Sequence, residues 1–110
     1  MTRVDYDPED FRMEIRGHAG AAPAGQDLVC AGISVLSFGL INAAMSVPEY
    51  NGHVMVSEGD ALIRVECSPE EEHEALCREM FRVIWCGFET IAESYPQHIQ
   101  LTVPFSQSDD

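Results

Sequence analysis

FRMEIRGHAGAAPAGQDLVCAGIS, residues 11–34, contains the change of pattern that decides the fold. Phe11, Met13 and Ile15 alternate with Arg12, Glu14 and Arg16, which describes a strand with one buried and one wet face. Residues 17–26, GHAGAAPAGQ, break every periodicity: glycines, small residues and a proline mark a loop. From Asp27 the pattern becomes that of a helix, which reaches about Met45 and stops before Pro48. Leu28, Ile33, Val35, Leu36, Phe38, Leu40 and Ile41 spread over nearly its whole circumference. A helix that is apolar all round must be covered on more than one side. In a two-layer domain this small, a second copy supplies that cover most simply. A homodimer with this helix near the interface is therefore expected.

On the N-terminal side, residues 2–6 read as a strand joined to 11–17 by a turn of Asp7, Pro8, Glu9 and Asp10. On the other side, 52–57 and 61–67 read as a hairpin around Glu58, Gly59 and Asp60. Ser68, Pro69 and Glu71 form a helix start: an N-cap serine, proline at the first helical position, and a capping-box glutamate. The helix that follows carries Leu76, Met80, Val83, Ile84, Gly87, Phe88, Ile91 and Tyr95 on one stripe and ends before Pro96. Trp85 falls off that stripe, as an interface residue would. A last strand alternates Ile99, Leu101, Val103 and Phe105 with His98, Gln100 and Thr102. The order β-β-α-β-β-α-β implies an α+β two-layer sandwich, a largely antiparallel sheet with two helices on one face. Residues 1–105 are expected to form a single domain, with 106–110 a short acidic tail.

Composition narrows the function classes. With 110 residues, 45% hydrophobic and 23% charged, the chain is long enough for one core and too polar to be fibrous or lipid-embedded throughout. No apolar stretch is read as long and charge-free enough to span a bilayer. Asp5, Asp7, Glu9 and Asp10 make the N-terminus unlike a signal peptide, so a soluble cytoplasmic protein is expected. A net charge of −13 repels nucleic acid and anionic membranes and favours encounter with a basic protein. Neither nucleic acid nor membrane is an expected partner. Cys30, Cys67, Cys77 and Cys86 form no CxxC pair, so free thiols are expected. Cys67, His73, Cys77 and Cys86 match no common zinc spacing, and neither a metal nor a cofactor is expected. His53 and His98 read as surface strand residues, and Met13, Met45, Met55 and Met80 as core filling.

Packing does not account for residues 17–34. With Asp27 as N-cap, Cys30 is the third helical residue, where a backbone N–H still lacks an intrahelical acceptor. The helix dipole and such N–H groups favour a thiolate, and the same groups could hold an oxyanion. A thiolate near the imidazole of His18 is an arrangement for acyl transfer. Each residue also has a plainer reading. Cys30 could be a small core hydrophobe. Asp27 could cap the helix rather than orient His18. Ser34, one turn beyond Cys30, could bond the nucleophile or only the Cys30 carbonyl. Strict alternation from Phe11 would put His18 on the face away from the helices, so for the two to meet either the strand ends or bulges at Gly17 or substrate binding and loop closure bring them together.

Gly17-His18-Ala19, Gly25, Asp27, Val29-Cys30-Ala31 and Ser34 together resemble the signature of the ribosomal-processing cysteine proteases. Asn42, the second amphipathic helix and the final strand extend the likeness over almost the full chain. The resemblance implies a dimeric α+β protein with a Cys–His dyad: Cys30 as nucleophile, His18 as general base. Gly17, Asp27 and Ser34 then match supporting positions, and Ala19, Gly20, Ala21, Ala22, Pro23, Ala24 and Gly25 form the substrate loop. The implied reaction removes an N-terminal extension from the twenty-seventh large-subunit ribosomal protein of bacteria, a basic substrate suited to an acidic enzyme. Relatives in prophages widen the substrate to a capsid or scaffold protein. A dimeric module that binds basic peptides without cutting them is the reading from a different class.

Overall fold

The computed structural model describes residues 1–17, 28–57 and 61–103. His18, the loop residues 19–25, Asp27, the turn at 58–60, Phe105 and the 106–110 tail lie outside them. The elements are β1 (Thr2–Asp7), β2 (Arg12–Arg16), α1 (Leu28–Met45), β3 (Gly52–Ser57), β4 (Leu62–Cys67), a 3-10 turn (Glu71–His73), α2 (Glu74–Ser94) and β5 (Ile99–Thr102). Element order and fold class agree with the expectation.

The strands form one sheet in the order β3-β4-β2-β1-β5, with β1 and β5 parallel and every other pair antiparallel. Register follows from alternation. Tyr6 lies opposite Met13, Met13 opposite Val65 and Val65 opposite Val54, so one row of apolar side chains crosses four strands. Val4, Met13 and Val65 are wholly buried. The opposite face carries Arg3, Asp5, Arg12, Glu14, Arg16 and Arg64. There Glu14 accepts hydrogen bonds from Arg16 Nη2 and Arg64 Nε, each at 2.7 Å. Partial burial works to raise the Glu14 carboxyl, but the two guanidinium groups outweigh it and hold it below the ordinary carboxylate value.

Both helices cover the apolar face, α2 against β5 and α1 against β4. They touch each other through glycines: a Cβ on Gly87 would come within 2.6 Å of Leu36 Cδ2. α1 corrects one expectation. Its 18 residues carry no charge, and at about 1.5 Å per residue its length and composition suffice to cross a bilayer. In this fold Val29, Ile33, Leu40, Ile41 and Ala44 are instead packed into the core. Its other side is open, with Leu28 77% and Val35 72% exposed.

α2 corrects three more. Ser68 does not cap it: the Ser68 N–H donates to the Asn51 carbonyl at 2.6 Å, which holds residues 68–70 in a non-helical link until the 3-10 turn. Glu70 precedes that turn without a side-chain cap. The buried stripe is also rotated from the expected one. Cys77, Phe81 and Phe88 are buried, while Leu76, Val83 and Tyr95 are exposed. Trp85, expected at an interface, packs inward with its ring centroid 5.2 Å from that of Tyr6. Phe81 stacks on the same tyrosine at 6.0 Å. Turning the aromatic groups inward removes more apolar area from water than burying Leu76 and Val83 would, which sets the phase of the helix. Met45 and Met55, expected in the core, are exposed.

Candidate active site

β2 ends at Arg16, and Gly17 adopts φ +93°. A Cβ there would stand 2.6 Å from the Met1 carbonyl oxygen, and the Gly17 N–H donates to the Ala61 carbonyl at 2.8 Å. Only glycine fits both the dihedral and the space. The strand alternation therefore stops at the residue where it has to stop if His18 is to leave the outer face. His18 and Asp27 themselves, with the loop between them, lie outside the described residues.

Cys30 occupies the first turn of α1 and is half-buried. It opens on a groove of about 310 Å3 between α1 and the sheet. Cys30, Ile33, Ser34, Ser37 and Phe38 form the helix wall. Thr2, Ile15, Gly17, Val56, Ser57, Ala61, Leu62 and Ile63 supply the sheet side. Gly32 and Leu36 face α2, so Cys30, Ser34 and Phe38 line the opposite flank, where no helix among the described residues covers them. None of the described groove residues carries a charge, although the whole chain holds 25 acidic and basic groups, 19 of one kind and 6 of the other. Ser34 is exposed within the groove. Ser37 is buried and its hydroxyl donates to the Ile33 carbonyl at 2.7 Å, so it is tied to the helix itself.

The sequence brought Gly17, Cys30 and Ser34 forward, and the fold places all three along this groove. It did not single out Phe38 or Val56 as site residues. Phe38 stands eight residues beyond Cys30 on the same helical flank, a spacing that a helical projection from Cys30 would have shown. Val56 had no comparable signal, since its place depends on β3 lying beside β4.

The other thiols are in different surroundings. Cys67 and Cys77 share a side-chain hydrogen bond inside the core, and burial pushes the Cys67 thiol up to about 12 and raises Cys77 as well. Thiols so held are poor nucleophiles at neutral pH. Cys86 is exposed on α2. Of the residues weighed as zinc ligands, His73 stands in the 3-10 turn ahead of α2, beside acidic neighbours. Its Nε2 lies 3.7 Å from Glu49 Oε1, and Glu49, Glu72 and His73 form an acidic surface group.

Comparison with known proteins agrees with this architecture. The profile of the family described as "Cysteine protease Prp" matches residues 1–100. The ribosomal processing cysteine protease Prp of Bacillus subtilis (strain 168) is 28% identical over 102 residues, which is 91% of each chain. The crystal structure of an essential ribosomal processing protease Prp from S. aureus, in complex with a covalently linked product peptide, superposes with a TM-score of 0.81. That likeness covers 94% of this chain and 99% of the other at 23% identity. A second S. aureus Prp structure, in complex with a substrate peptide, gives a TM-score of 0.76 at 21% identity over 94% and 99% of the two chains. With a family profile spanning nearly its whole length and the same α+β fold in those structures, the chain belongs to the Prp family of cysteine proteases.

Proposed function

We propose that this protein is the endopeptidase that removes an N-terminal extension from a bacterial large-subunit ribosomal protein, with Cys30 as nucleophile and His18 as general base. The observation that carries the reading is the position of Cys30, in the first turn of a helix and open to a groove whose described residues carry no charge. Cys30 passes its thiol proton to the His18 imidazole, its Sγ attacks the scissile carbonyl, and the oxyanion forms beside backbone N–H groups at the start of α1. The tetrahedral intermediate collapses to a thioester as the amine leaves with a proton from His18. Water, losing its proton to the same imidazole, then hydrolyses the thioester and restores the thiol. Gly17 directs the chain into the loop. Asp27 and Ser34 support the pair, and residues 19–25 contribute to substrate binding.

The relatives named above are ribosomal processing proteases, and a ribosomal protein is basic. The net charge of −13 favours encounter with such a substrate, and the uncharged described lining of the groove favours an apolar or small segment along it. Ribosomal proteins are made in the cytoplasm, which is where we place the reaction. We further propose that two copies pair through the uncharged outer side of α1, where Leu28, Val35 and Met45 are exposed.

The reaction is tested by incubating the protein with the twenty-seventh large-subunit ribosomal protein bearing its extension, then measuring intact masses. A truncated protein and a free N-terminal peptide are expected. Cys30→Ala should slow cleavage at least about a thousand-fold with unchanged circular dichroism. Cleavage that persists in Cys30→Ala would overturn the mechanism.

A further inference from the structure

The groove extends well beyond Cys30, and the side chain at its far end is unusual for its position. Phe38 stands eight residues after Cys30 on α1, about 12 Å along the axis at 1.5 Å per residue. An extended peptide advances about 3.3 Å per residue, so that distance corresponds to three or four substrate residues. Phe38 is 49% exposed although it belongs to the same helix flank as buried Ile41. The apolar side chains on the sheet side, Ile15, Ile63 and Val56, continue that surface, and Val56 is itself 47% exposed. Half-exposed apolar groups continuous with a candidate nucleophile's groove, and without a described charge among them, suit an occupant that is apolar and uncharged at that point.

We infer that Phe38 is a specificity-determining residue: its ring forms a subsite for an uncharged apolar side chain three or four residues from the scissile bond. The inference rests on the protease reading above and deepens it by assigning a subsite to one residue. A charged side chain delivered there would lose its hydration against Phe38 with no described partner, so it would be rejected. An alanine there would leave the ring unused.

The test is a set of peptides copying the cleavage region of the twenty-seventh large-subunit ribosomal protein. Each position on either side of the cut is set in turn to Leu, Ala or Lys. Unmodified enzyme, Phe38→Ala and Phe38→Leu are compared by kcat/KM. One position, three or four residues from the cut, should respond. With Leu there, Phe38→Ala should lose about ten-fold, carried mainly by KM, and Phe38→Leu should recover to within about three-fold. With Ala there, unmodified enzyme and Phe38→Ala should differ by less than about two-fold, which makes the pair a double-mutant cycle with strong coupling. With Lys there, the unmodified enzyme should be slower by about a hundred-fold. The result that overturns the inference is equal loss with every peptide, no loss, or coupling only at the residues that flank the cut. Sedimentation of Phe38→Ala gives the contrast with a dimer role: monomerisation together with uniform loss would assign Phe38 to the interface and sink the subsite. If the unmodified enzyme cuts none of the peptides, the protease reading falls and the subsite with it. If it cuts them without positional coupling, the subsite alone falls.

Discussion

α1 and α2 lie on the same sheet and touch each other through Gly87 and Leu36, yet their sequences place opposite demands on the fold. α2 is amphipathic: Phe81 and Phe88 are wholly buried, and Arg78, Glu79, Arg82 and Glu89 face water. α1 has no charge at all, buries one side and leaves apolar residues exposed on the other. α2 therefore stabilises the domain, whereas α1 gives up solubility along one side and holds the groove and Cys30 on its flank. The contrast sets a helix that serves the stability of the domain beside one that leaves apolar surface uncovered for the proposed substrate groove and dimer contact.

The largest effect that would separate the two helices is on stability. Phe88→Ala should cost about 3–5 kcal/mol, against less than about 0.5 kcal/mol for Val35→Ala. In thermal melts this is a fall of at least about 15 °C for the first and little change for the second. Comparable losses at both sites would break the division of labour. The next test concerns assembly. Val35→Asp sets two carboxylates against each other in a self-complementary contact, so the variant should sediment as a monomer at micromolar concentration while the unmodified protein sediments as a dimer. A variant that remains a dimer would remove α1 from the interface.

The sequence carried more of α1 than of α2, for a physical reason. Cys30 was legible because its position relative to the helix start is local, and a helix start is marked by adjacent residues. The strands were legible because alternation is local too: β3 kept its expected bounds, β1, β2 and β4 shifted by a residue at an end, and β5 stops at Thr102, short of the expected Val103. α2 contains apolar residues on several sides, among them Leu76, Val83, Phe81 and Trp85, so periodicity alone allowed two phases. Tyr6 decided between them from a strand some eighty residues away in the chain, beyond the reach of any local pattern. The groove was hidden for the same reason. Val56 joins Cys30 and Phe38 only once β3 is beside β4 and α1 lies across them.

Smaller effects sharpen the picture at the margins of the sheet. Gly17→Ala should destabilise by about 1–3 kcal/mol, because alanine resists φ +93° and its Cβ meets the Met1 carbonyl. Cleavage by that variant should fall by more than its loss of folded protein, since the loop starts there. Equal losses would make Gly17 structural only. The smallest effect concerns Glu14, whose carboxyl is held below its ordinary value in the fold. A depressed folded value means stability that is present above the unfolded carboxylate value, about 4, and is lost as pH falls through the folded one. Glu14→Gln should therefore flatten the loss of stability below about pH 4, by no more than about 1 kcal/mol. Denaturant titrations at pH 3 and pH 7 measure it, and parallel curves for the two proteins would remove the Arg16–Glu14–Arg64 cluster from the account.

β1 sits between β2 and β5 and begins at once: Thr2 is buried, and its N–H donates to the His98 carbonyl at 3.0 Å. Met1 is pressed against Gly17, and Thr2 and Gly17 both line the groove. Met1 itself lies on the outer face with Arg3, Arg16 and Gln100, one residue from groove-lining Thr2, so an affinity tag fused ahead of it starts at the end of β1 beside Gly17. A tag long enough to pass Gly17 should compete as a tethered segment at an effective concentration of about a millimolar, enough to obstruct a peptide supplied at micromolar levels. Tagged and untagged enzyme, compared on one peptide, would display this as a raised KM at constant kcat. Assays of substrate choice are best made with the N-terminus bare.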